Sequence, residues 1–134
     1  MSGRRWARLG MAVAGCGISV YLTVVHYAHV SLACPLARPG IVNCAAVVTS
    51  PQSVALGLPL AVWGIVWFVA TGVLVVWARP GLARVERAWA AVGAVAVVYF
   101  VYLELFAVGR LCAWCTGVHL LVLANLLFVG GDGG

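Results

Sequence analysis

Apolar residues along this chain gather into four long runs, and the polar residues are confined to the segments between them. The runs cover residues 9–30, 58–78, 88–108 and 112–129. Each comes close to the roughly 20 residues that a helix needs to cross a bilayer. Helix breakers mark the borders. "GLP" opens the second run and "RPG" closes it. Pro59 and Pro80 thus fall at helix edges, where a missing N–H costs little. The connections are unequal. Residues 31–57 form a long first loop, "RPGLARVER" is short and basic, and "GRL" is a tight turn. The pattern predicts one all-α integral membrane domain over residues 1–134, a four-transmembrane-helix bundle with a long loop between helices 1 and 2.

Composition agrees. Of the 134 residues, 65% are hydrophobic and only 8% charged, more apolar surface than a soluble domain of this size can hide. The formal charge of +5 rests on arginine alone. In a membrane protein such charge reports topology, not nucleic-acid binding. Arg4, Arg5, Arg8, Arg79, Arg84 and Arg87 lie on one side of the four-span arrangement, and Arg38 and Arg110 on the other. The bias puts both termini in the cytoplasm and makes the long loop extracytoplasmic. Trp6, Trp77 and Trp89 then fall near the inner interface. The basic start invites comparison with a cleaved signal peptide, but the first apolar run is long for one. "SLAC" is similar to a lipoprotein cleavage site, except that Ser31 stands where a large aliphatic residue belongs.

Sidedness changes the meaning of the cysteines. Cys34 and Cys44, in the long loop, and Cys112 and Cys115, at the mouth of the fourth run, share the outer and oxidising face. Cys16 lies mid-span and reads as a small buried hydrophobe. Cys112 begins a helix, whose unpaired N–H groups and partial positive charge favour thiolate over thiol. The thiolate is the species that attacks a disulfide. Cys115 follows one turn later on the same face. The pair "CAWC" is therefore a nucleophile with its resolving partner. As a staple it would close a tiny loop and remove little entropy.

"PLARPGIVN" between Cys34 and Cys44 is turn-rich. A loop pair close to a membrane-embedded pair suggests a relay that meets a soluble protein and then exchanges with Cys112. A permanent Cys34–Cys44 staple stays open beside it. No sequence feature suggests haem, flavin or an iron–sulfur site, which leaves a lipid-soluble quinone as the electron sink near Cys115. Three other classes stay open: a reductase whose true substrate is a quinone or quinone epoxide, a metal-handling membrane protein using CxxC, and a disulfide-stapled scaffold. Zinc-type spacing is absent, and no metal ligands are assigned.

In order along the chain come the loop pair Cys34 and Cys44, then Ser50, then "GLPLAVWG" opening the second run, then Cys112–Cys115 opening the fourth. That ordered set resembles the vitamin K epoxide reductase family, in its bacterial disulfide-forming branch, over nearly the whole chain. The resemblance implies a four-helix bundle around a quinone of the menaquinone or ubiquinone type, in a bacterial cell membrane. It implies an active pair Cys112 and Cys115, with Cys115 nearest the quinone. Cys34 would face the partner and Cys44 would pass electrons inward to Cys112. Ser50 matches the family's loop serine near the active site. The partner implied is a separate thioredoxin-fold (DsbA-like) protein, for which this chain has no room of its own.

Other polar residues are candidates around the pair. His119, one turn deeper than Cys115, can meet a quinone oxygen or a neighbouring helix; vertebrate members of the family tend to have tyrosine there. Glu104, in the third run, is costly unless protonated or paired, and a proton-relay role stays open. Arg110 could pair with it only by a fold-back at the turn. His26 and His29 read as interfacial, and Asn125 as an interhelical hydrogen-bonding group. Ala90 and Ala94 make a small-residue packing face. Trp63 and Trp67 read as core or lipid-facing, and Trp114 as an aromatic-belt residue or a cover for the pair.

Overall fold

The computed structural model describes residues 2–28, 33–38, 40–77 and 79–131. Val30 and Ala78, expected to end the first two apolar runs, lie outside the described residues, as do His29, Ser31 and Pro39. Within them the chain is mostly helical: α1 (Gly3–Ala28), α2 (Cys44–Val48), α3 (Leu60–Val76), α4 (Ala83–Tyr102) and α5 (Ala113–Gly131). A π-helical segment, Leu103–Val108, prolongs α4. Gly3–Ala28 and Pro80–Val108 are long and apolar enough to cross a membrane, and Leu60–Val76 and Ala113–Val129 are shorter apolar helices.

Each long helix buries one narrow stripe. On α1 it runs Arg8, Ala12, Gly15, Ser19, Leu22, Val25. On α4 it runs Glu86, Ala90, Gly93, Val97, and His119, Val122, Asn125 and Val129 are buried along α5. Alternating steps of three and four keep such residues on one face. The opposite faces carry Val13, Val69, Val95 and Leu127, all more than half exposed. Helices apolar on both faces belong in lipid.

α1 is the centre of the packing. It lies along α3 and also touches α5, while α4 packs on α5. α3 and α4 barely meet. Glycine allows the closest approaches: a Cβ at Gly15 would overlap the Phe68 ring, and one at Gly64 would lie 2.8 Å from Ser19 Oγ. Ala90 is fully buried as expected, but its partner on the packing face is Gly93, against Trp67, and not Ala94.

Before α3 the chain makes a small hairpin, β1 (Val54–Ala55) and β2 (Leu58–Pro59), antiparallel. Its turn needs two left-handed residues, Leu56 (φ 55°) and Gly57 (φ 80°), the pattern of a two-residue hairpin loop. Trp63 pins the hairpin to α3 by donating its indole N–H to Ala55 O at 3.0 Å.

Arg8, counted from sequence among the six arginines of one side, is 1% exposed. It forms an ion pair with Glu86 of α4 and donates to Asn125 Oδ1 of α5 at 3.0 Å. Arg5 adds a 3.5 Å contact to Glu86 and a hydrogen bond to Val75 O of α3. All four long helices are joined there. Asn125 thus makes the interhelical bond expected of it. Trp6 and Trp77 are exposed at this end, but Trp89 turns inward, stacks on Trp67 and donates to Thr71 Oγ1.

Candidate functional site

The four outer-face cysteines expected from sequence come together at the other end. Cys34 and Cys44 form a disulfide. Cys112 and Cys115 stand as free thiols. Two backbone hydrogen bonds create the juxtaposition: Leu111 donates to Ile41 O at 2.8 Å, and Asn43 donates to Leu111 O at 2.9 Å. They fasten the first loop to the entrance of α5, so the next residues in each segment, Cys44 and Cys112, share one core cluster. Both are fully buried. Cys34 and Cys115 pack at the margin of that cluster, with Trp114. Trp114 covers the site as one of its two sequence readings held: its indole donates to Ala33 O, and its ring meets Tyr21 edge-on at 5.4 Å.

Cys112 directly precedes α5 and takes its capping position. Its carbonyl receives Thr116 N–H at 2.9 Å, and its sulfur receives Cys115 N–H at 3.2 Å. A serine at such a position caps the third amide of a helix with its hydroxyl; here sulfur does so. The cap thereby holds the Cys112 sulfur against Cys115. In the loop pair, Cys44 N–H points at Cys34 Sγ at 3.3 Å. Asn43 caps α2 by accepting from Ala46 N–H at 3.1 Å.

Behind the pair lies a cavity of about 390 Å³. Cys115, His119, Ser50, Glu104 and His26 line it, with a mainly apolar wall that includes Trp63, Trp67, Phe100 and Val122. Cys112 is not part of the lining. A cavity of this size, apolar with a few convergent polar groups, suits a small aromatic molecule. The buried Trp67 Nε1 has no hydrogen-bond partner among the described residues, a donor that an oxygen-bearing guest can satisfy.

Ser50 and His119 both line this cavity. Ser50 donates its hydroxyl to Val47 O at 2.7 Å, closing the α2 turn. His119 is buried, with Nε2 4.0 Å from Glu104 Oε1. Arg110 does not pair with the Glu104 carboxylate through its guanidinium, which donates to Gly109 O. Only the Arg110 backbone N–H reaches Glu104, at its carbonyl oxygen. Glu104 Oε2 accepts the Cys112 N–H at 3.4 Å.

Three cavity residues escaped the sequence reading. Trp63 and Trp67 line the cavity, not only core or lipid. His26, read as interfacial, has Nδ1 3.1 Å from Val48 O and helps wall the site. α3 is apolar all round, so no polar stripe marked which of its faces would turn to a ligand.

The profile of the vitamin K epoxide reductase family matches residues 6–129. The chain belongs to that family. A comparison with curated proteins gives no match. Membership in the vitamin K epoxide reductase family, together with the apolar helices, makes this a membrane oxidoreductase. The family is generally linked to quinones and to thioredoxin-like partners.

Proposed function

We propose that the protein is a quinone-dependent thiol oxidase that draws electrons from an extracytoplasmic thioredoxin-fold protein and so supports disulfide formation. The observation that carries this reading is the relay order in space. The Cys34–Cys44 disulfide is fastened beside Cys112, and Cys115 alone of the four lines the cavity. In the proposed topology α1, α3, α4 and α5 are the four spans and the cysteines face the outside. Seventeen residues of α3 cover about 25 Å, close to the hydrocarbon thickness of about 30 Å.

Each exchange balances. The partner's dithiol reduces Cys34–Cys44, leaving as a disulfide. The loop dithiol then reduces Cys112–Cys115 and closes again. The inner dithiol loses two electrons and two protons on forming its own disulfide. A bound quinone would supply the two-electron, two-proton acceptor, and its ring suits the apolar cavity. His119 would orient it there and Ser50 would accept from the O–H of the reduced ring, while Trp63 and Phe100 exclude water.

The test is anaerobic quinone reduction by purified protein, with a reduced thioredoxin-fold protein or a small dithiol as donor. Cys112→Ala and Cys115→Ala should stop turnover with both donors. Cys34→Ala and Cys44→Ala should stop it only with the protein donor. Unimpaired oxidation of the protein donor by Cys112→Ala would sink the proposal.

A further inference from the structure

Cys112 poses a problem that Cys115 does not. Both must lose a proton before the inner disulfide can close. Cys115 opens on the cavity and can release its proton there. Cys112 is fully buried and does not line the cavity, so its proton needs a carrier.

Glu104 stands in the right place. It lies in the π-helical segment that prolongs α4, buried among mainly apolar neighbours. A buried carboxyl group there is expensive. Its two oxygens face different neighbours: Oε2 accepts the Cys112 N–H at 3.4 Å, and Oε1 lies 4.0 Å from His119 Nε2. The 4.0 Å gap exceeds a direct hydrogen bond, and one water or a small side-chain rotation closes it. His119 in turn borders the cavity and packs against Phe100, with ring centroids 6.4 Å apart. Cys112, just before α5, faces Glu104, and Cys115 of α5 and His26 of α1 line the same cavity, while the Arg110 guanidinium turns to Gly109 O. A helix cap alone does not require an acid: a glutamine would accept the Cys112 N–H as well.

We infer that Glu104 and His119 form a proton path from the Cys112 thiol to the cavity ligand. This rests on the proposed quinone reaction and adds its proton half. In the balanced step the two S–H bonds of Cys112 and Cys115 break and one S–S bond forms. Two electrons pass to the quinone, and its two oxygens each gain a proton. Glu104 takes up the Cys112 proton, and His119 hands one on at the cavity. Both residues end as they began.

The experiment has two arms. In the first, no quinone is present: the reduced protein is oxidised by a small disulfide, and the closing of Cys112–Cys115 is followed against pH. Glu104→Gln should slow closing about 10²-fold and flatten its pH profile, and Glu104→Asp should restore most of both. In the second arm, quinone reduction is driven by saturating small dithiol. Glu104→Gln and His119→Gln should lower kcat about 10²-fold and raise the solvent deuterium isotope effect, with KM for quinone nearly unchanged in Glu104→Gln. Quenching of tryptophan fluorescence by quinone reports that the cavity is intact in each variant. A Glu104→Gln protein with wild-type pH profile and kcat would overturn the path, and so would an unchanged kcat in His119→Gln. Wild-type protein that fails to reduce quinone would overturn the proposed function. In that event a slowed closing step in Glu104→Gln still upholds the Cys112-to-Glu104 transfer.

Discussion

Ser50 shows how one hydroxyl can be committed in two directions. Its proton goes to Val47 O, so toward the cavity it offers lone pairs only. Ser50→Ala should therefore cost the α2 turn about 1 kcal/mol, the usual worth of one hydrogen bond, seen as faster amide exchange over residues 47–53. Quinone affinity should fall less than it does when the cavity wall itself is changed. Cys115 is the opposite case, because no neighbour can replace its sulfur. Cys115→Ser should keep the fold and abolish quinone reduction with either donor, measured by quinone absorbance. Such residues were legible in the sequence because they carry chemistry at a fixed spacing, as "CAWC" does. Arg8 was not. Next to Arg4 and Arg5 it looks like an interfacial charge, and the partner that draws it inside, Glu86, is 78 positions away.

Among elements, the turn between α4 and α5 decides the most. Gly109 sits at φ 74°, where a side chain is disfavoured, and its N–H closes the π-helical segment on Glu104 O at 2.9 Å. Gly109→Ala should cost about 1–2 kcal/mol, read as a lower midpoint of thermal unfolding in detergent. Because the same turn leads into Leu111, the variant should also loosen the loop clamp and slow exchange between Cys44 and Cys112. Helix existence was readable from apolar run length, but helix limits were not. α1 starts six residues before its apolar run and α4 five before, since a helix continues past the hydrophobic zone into its charged flank. α3 starts two residues late, because "GLP" is spent on the hairpin.

For the whole molecule, the two ends of the bundle do different work. The Arg5–Arg8–Glu86–Asn125 network ties the four long helices at one end. Glu86→Leu alone takes the Glu86 carboxylate away from the buried Arg8 guanidinium and should cost about 3–5 kcal/mol. The double variant Arg8→Met/Glu86→Leu should recover most of that loss, because well-packed apolar residues replace a buried pair at little cost. Unfolding in detergent compares the two. Sequence patterning announced the four runs but not this fastening, since buried polar contacts between distant helices leave no periodic trace.

At the other end the sparse contact between α3 and α4 leaves a seam. The cavity lies along it, walled by Trp63 and Trp67 on one side and Gly93 and Phe100 on the other. A guest there is mortar as much as reactant: it supplies the contacts that the two helices do not make with each other. The folded bundle offers this seat and the unfolded chain does not. A redox-inert quinone analogue at about a hundred times its dissociation constant should therefore stabilise the bundle by about 2.7 kcal/mol. Heat resistance then becomes a gauge of occupancy that works with every cysteine already oxidised and no electron moving.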